Sequence, residues 1–114
     1  MRSSDVDALV ASADPEYVLW ASGTPPLEGA GALRSLLETT FARLRVESVF
    51  ECEELVVDGR LAVERGWDVQ RIQHRDGGEV RTGRQRVTIV TRLGDDGEWR
   101  FLWAMVQPGP EATR

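Results

Sequence analysis

The spacing of apolar residues changes once along this chain, from the period of a helix to the period of a strand. Between Gly31 and Arg45, Leu33, Leu36, Leu37, Thr40, Phe41 and Leu44 recur at i, i+3, i+4 spacing, while Arg34, Glu38 and Arg43 lie off that stripe. This predicts a helix over 31–45 laid on an apolar surface. A shorter stripe of Val6, Leu9 and Val10 predicts a first helix within 3–13, with Ser4 or Asp5 as N-cap. Asp14-Pro15 reads as a turn and leaves a brief strand around Tyr17–Ala21. "TPPLEG" reads as irregular, since Pro25 and Pro26 carry no N–H donor.

After residue 45 the alternation is apolar/polar. Strands are expected at about 45–57, 60–73, 79–93 and 98–107, joined by "DG" (58–59), "RDGG" (75–78) and "GDDG" (94–97). Consecutive hairpins of this kind make an antiparallel meander.

The side-chain period of a strand is two, so the register decides which face each residue takes. With Asp58-Gly59 as the turn, Val57 pairs with Arg60, Val56 with Leu61, Cys52 with Arg65 and Phe50 with Trp67. One face then carries Val46, Phe50, Val56, Leu61, Val63, Trp67 and Val69, and the long helix should cover it. The other carries Glu47, Glu51, Glu53, Arg60, Glu64, Asp68 and Gln70. In the second hairpin a three-residue loop over 76–78 pairs Trp67 with Val87 and sets Asp68 against Arg86. The shorter loop would put Arg84 and Arg86 on the apolar face, which is costly without partners. In the third, pairing Leu93 with Trp99 continues the apolar face as Trp99, Phe101, Trp103 and Met105. The outer face then mixes Val90, Leu102, Ala104 and Val106 with Arg86, Arg92 and Arg100, which points to a homodimer through that face.

Composition narrows the classes. A chain of 114 residues with 41% hydrophobic and 29% charged residues is one domain with its own core. Residues 1–107 form that domain and 108–114 read as a flexible C-terminal tail. The net charge of −5 argues against a nucleic-acid partner. All basic residues are Arg, which we assign to base composition. A single cysteine, Cys52, allows no internal disulfide. The N-terminus has no signal-peptide pattern and no window has the length of a membrane span, so a cytoplasmic protein without membrane contact is expected. No nucleotide or cofactor fingerprint is present.

Two segments, "DVDALVASADPEYVLWASGTPPLEGAGALRSLL" and "VTIVTRLGDDGEWRFLWAMV", resemble the nuclear transport factor 2-like superfamily, in its small bacterial ketosteroid-isomerase and polyketide-cyclase form. The first follows that superfamily's helix, short strand, Pro/Gly loop and second helix. The second follows its last two strands around the turn at Asp96 to Arg100. The resemblance implies an α+β, cystatin-like fold: a bent antiparallel sheet wrapped as a cone over helices, usually dimeric, with a pocket inside. Members of the superfamily include isomerases, dehydratases, cyclases, hydrolases and plain binding or assembly domains, so the fold fixes no activity. The first helix here is expected to be shortened, because only four residues precede Asp5. Ala104 stands about where cyclase-type members carry an acid, which counts against their acid–base chemistry.

The expected function is the binding of a small, mostly apolar ligand in the cone. The alternatives are an isomerase, cyclase or hydrolase using Glu54, Arg65 and Tyr17, or a dimeric assembly module with a filled core. In the derived register Glu54 and Arg65 are diagonal neighbours on the apolar face. They read either as the polar floor of a pocket walled by Phe50, Trp67 and Trp103, or as a structural ion pair, or as displaced by a β-bulge near Glu53-Glu54 that turns the carboxylate outward. Tyr17 and Trp20 complete the expected ligand-binding set, which holds no metal ligands. Asp68, on the outer face against Arg86, reads as a surface salt bridge, and Glu51, Glu53 and Glu64 as a solvated acidic surface. His74 reads as an exposed loop residue, and Cys52 as a small buried hydrophobe.

Overall fold

The structure, a computed structural model, describes residues 5–109. Seven elements were expected and eight are present. Helix α1 (Val6–Ala11) leads into β1 (Ala13–Ala21), a two-residue strand β2 (Leu27–Glu28), helix α2 (Ala30–Arg43) and the four long strands β3 (Leu44–Asp58), β4 (Leu61–His74), β5 (Arg81–Leu93) and β6 (Trp99–Pro108). The fold class is the expected one, α+β with a curved sheet that does not close. The sheet order is β2-β1-β6-β5-β4-β3. β3 to β6 form the antiparallel meander, β1 joins it parallel to β6, and β2 pairs with β1 inside the "TPPLEG" stretch expected to be irregular. Pro108, assigned to the tail by sequence, closes β6. Ser4 and residues 110–114 lie outside the described residues.

Helix α2 spans about 21 Å, close to the roughly 24 Å across six strands. It contacts β1 and β2 at one edge of the sheet and β3 at the other. Gly29 N–H donates to Tyr17 C=O (2.6 Å), and Arg75 N–H donates to Arg43 C=O (2.9 Å), so both helix ends are fastened. The helix buries Phe41. The inner sheet face carries the buried Val46, Ala62 and Val87, and Tyr17 on β1 (7% exposed). The helix crosses only one end of the sheet. Leu55, Val57, Trp99 and Phe101, at the other end, remain exposed.

The register differs from the derived one in four places, and three of the differences change which face side chains take. The first turn is Gly59-Arg60, with Gly59 at φ +60°, so Asp58 pairs with Leu61 and Val56 with Val63. That slip of two residues preserves the faces. A β-bulge then leaves Glu53 without a partner between the Cys52–Gly66 and Glu54–Arg65 pairs, and from there Phe50 opposes Asp68 while Glu51 opposes Trp67. One extra residue on one strand reverses inside and outside for the rest of it. In the second hairpin the connection is longer than the expected loop, with Ile72–Arg81 as its last pair, and Trp67 opposes Arg86 while Asp68 opposes Gln85. The third hairpin pairs Leu93 with Trp99 as expected, but Leu102 is an extra residue in β6. It splits the expected stripe: Trp99 and Phe101 turn inward, Trp103 and Met105 outward.

Candidate functional site

The pairing lays the sheet out in cross-strand rows. On the inner face, Phe50, Asp68 and Gln85 form one row, and Ser48, Gln70 and Gly83 the next. Asp68 therefore faces the helix side and does not oppose Arg86, which overturns its assignment as an outer salt bridge. Its partners are two amides: Gln70 Nε2 and Gln85 Nε2 each donate to Asp68 Oδ2 at 2.9 Å. Gln70 reaches it along the strand, because i and i+2 share a face, and Gln85 reaches it across the strands. Both donors converge on one oxygen and leave Oδ1 to accept from whatever approaches the inner face. Phe50 lies beside it in the same row.

Glu64 is a second inner-face carboxylate, in the row Leu55, Glu64, Ile89, Ala104, Leu19. It too was assigned outward by sequence. Gly66 separates it from Asp68, and four residues of strand put their Cα atoms about 13 Å apart. Tyr17 shares this face, and burial pushes its phenol up to about 12, so it is a neutral hydroxyl at ordinary pH.

The other expected site residues do not meet these. Trp20, Glu54, Arg65, Trp67 and Trp103 stand on the outer face, and only Tyr17 and Phe50 stand on the inner one. Glu54 and Arg65 are direct cross-strand partners. Arg65 Nε donates to Glu54 Oε1 at 2.7 Å, with both side chains more than half exposed; the carboxylate turns outward at a bulge, as in one of the readings open from sequence. Trp67 Nε1 donates to Glu53 Oε1 at 2.9 Å, which ties the bulged residue to the neighbouring strand. Arg84 and Arg86, kept off the inner face as expected, meet the Trp67 ring on the outer one, at 4.4 and 5.8 Å from its centroid, and Arg84 also bonds Glu51 Oε1 at 3.1 Å. Cys52 is exposed rather than buried, because it sits beside the bulge in a stretch of edge strand that the helix does not cover. His74 ends β4 and is exposed. Among the described residues no His, Cys, Asp and Glu side chains group so as to hold a metal ion, and no helix is long and apolar enough to cross a membrane.

Gln70 and the inward Asp68 escaped the sequence reading because they stand in β4, whose facing was set one residue off around Trp67; Gln85 already shared the face of Val87 in the derived register, but opposite Val69 rather than Asp68. The step that would have found them is a one-residue slip of the second hairpin: with Val87 kept inward but opposing Gly66 instead of Trp67, Asp68 falls inward and opposite Gln85.

The sequence pattern of the SnoaL-like domain matches residues 1–102. A ketosteroid isomerase-like protein from Erwinia carotovora atroseptica superposes with a TM-score of 0.80 at 19% identity, covering 94% of this chain and 84% of that one. A conserved protein from Planctomyces limnophilus gives 0.82 at 23% identity, covering 92% and 83%. A nuclear transport factor 2-like protein with a cystatin-like fold, from Novosphingobium aromaticivorans, gives 0.76 at 16% identity, covering 96% and 73%. At these identities the likeness is one of fold. Comparison with curated proteins gave no match.

Proposed function

The chain belongs to the SnoaL-like domain family of the nuclear transport factor 2-like superfamily, and from that premise we propose that it binds a small, largely apolar molecule against the inner sheet face, with Asp68 as the polar anchor. The observation that carries this reading is the convergence of Gln70 and Gln85 on one oxygen of Asp68. A carboxylate steadied through Oδ2 presents Oδ1 in a fixed direction to a ligand hydroxyl. For a ligand with an acidic C–H beside a carbonyl, the same oxygen is the proton acceptor. Phe50 supplies an apolar wall next to it.

Two probes test the reading. Titration with 2-naphthol should move the side-chain amide NMR signals of Gln70 and Gln85, and Asp68→Asn should weaken that binding by roughly tenfold, the value of one hydrogen bond to a charged acceptor. Proton exchange at the α position of 1-tetralone in heavy water should run faster with the wild type than with Asp68→Asn if the carboxylate works as a base. Signals moving only at Trp20 and Trp103 would place the ligand on the outer face and sink the proposal.

A second reading concerns assembly. Of the apolar residues on which a dimer was expected, Val90, Leu102, Ala104 and Val106, only Val90 stays in an outer-face row: Ala104 and Val106 turn inward and Leu102 is buried. The outer face instead carries an unbroken apolar row across five strands, Val56, Val63, Val90, Trp103 and Val18. Val56, Val63 and Trp103 are 54%, 41% and 49% exposed. We propose that a second copy covers this row. Val63→Glu should convert a dimer seen by light scattering into a monomer; a wild-type protein monomeric at high micromolar concentration would refute it.

A further inference from the structure

We infer a second binding site, for a small aromatic carboxylate, in the open cavity beside the 22–26 loop. The cavity holds about 580 Å³, within the range of small-molecule sites. Its walls are apolar and hydroxylic, with Trp20, Thr24, Thr88, Met105 and Gln107 around a single charged group, Arg86. No acidic residue lines it, although the chain carries a net charge of −5. A lone guanidinium in such a setting selects an anion.

Arg86 is available for that task. Arg34, Arg60, Arg65, Arg84, Arg92 and Arg100 are engaged by carboxylates. Arg86 forms no ion pair among the described residues; its partner is the Trp67 ring at 5.8 Å, near the limit of useful cation–π attraction. The nearer position on that ring belongs to Arg84, which Glu51 holds in place. Arg86 therefore loses little by turning to a ligand. In its cross-strand row it stands between Trp67 and Gln107, so an anion bound to the guanidinium also comes within range of an amide donor. Trp20, 58% exposed, offers an indole surface to the ring of the same molecule. A planar carboxylate matches the guanidinium fork in two parallel hydrogen bonds, and an aromatic body matches the Trp20 and Met105 side. This site is separate from Asp68, whose negative charge on the inner face repels the same ligand.

The experiment is calorimetric titration with 2-naphthoate. The wild type should bind it, and Arg86→Gln should weaken binding by roughly tenfold or more. Arg81→Gln removes an exposed arginine of the same strand outside the cavity and should leave the affinity unchanged. The neutral 2-naphthamide should bind the wild type as weakly as naphthoate binds Arg86→Gln. Asp68→Asn should not reduce naphthoate binding. The inference is overturned if naphthoate does not bind the wild type, if Arg86→Gln binds it equally well, if naphthamide matches naphthoate, or if Asp68→Asn abolishes the binding.

Discussion

Replacing Gly66 by alanine tests the bulge that determines the facing of the candidate site. Gly66 opposes Cys52 at the edge of the bulge. A Cβ built on it would lie 2.0 Å from Glu51 O, 2.9 Å from Glu51 C and 3.0 Å from Cys52 Cα, all of them backbone atoms. No rotamer change relieves that contact. Reaching the 3.4 Å of ordinary contact requires a shift of 3.4 − 2.0, or 1.4 Å, which is nearly a third of the roughly 4.8 Å between strands. Overpacking typically costs about 1–3 kcal/mol, and rigid neighbours put this case near the top, about 3 kcal/mol. For a domain of this size that lowers the melting temperature by roughly 12 °C. Gly31→Ala is the control: it lies inside α2, without a positive φ and with nothing within 4 Å of the added Cβ, so it should stabilise by about 0.5–1 kcal/mol. Urea unfolding followed by tryptophan fluorescence gives both numbers. A Gly66→Ala protein within about 0.5 kcal/mol of wild type would mean that β3 and β4 do not approach here as described, and the inward placement of Asp68 would lose its support.

Three other outcomes follow from the charges and the thiol. Asp14, 8% exposed, accepts from Glu16 N–H and from Arg92 through both oxygens. Burial pushes its pKa up, but those hydrogen bonds more than offset it and the net shift is downward; Asp14→Ala should cost about 1–3 kcal/mol in urea unfolding, and a neutral change would show the pair to be idle. Asp96 is held down to about 2 from 3.8, first by hydrogen bonds from Arg100 and then by Glu98 N–H. A depressed carboxylate stabilises above its unfolded pKa and loses that contribution as pH falls, so the stability gap between wild type and Asp96→Asn should close between pH 3.8 and about 2; a gap constant over that window contradicts it. Cys52, exposed in the native fold, should react fully with a thiol reagent without denaturant, and slow labelling limited by unfolding would contradict its placement.

The strands, the long helix and the Leu93–Trp99 pairing could be read from alternation and turn chemistry, because these are local. Facing could not, because it depends on single insertions. Glu53 and Leu102 each shift a strand by one; a bulge near Glu53-Glu54 was one of the readings open from sequence, but residue type did not select it, and nothing marked Leu102. The second hairpin misled for another reason. The cost of burying a charge kept Arg84 and Arg86 off the inner face, where they indeed do not stand, but Trp67 was taken to face inward, whereas it shares their outer face, where its ring and Glu51 give them partners. Once Arg86 stands beside Trp67, Asp68 has to point inward. The residues that hold Asp68 by hydrogen bond come from two strands, so no short motif could have announced them.

The bulge at Glu53 makes the reading frame of the chain a structural quantity. Substituting residue 53 changes one side chain on an exposed stretch of edge strand. Deleting it, or inserting one residue next to it, would exchange the inward and outward sets over half of β3: Val46, Ser48 and Phe50 would trade places with Glu47, Val49 and Glu51. Homologues should therefore vary freely in residue type at this position while keeping the number of residues between the Gly59-Arg60 turn and helix α2 constant.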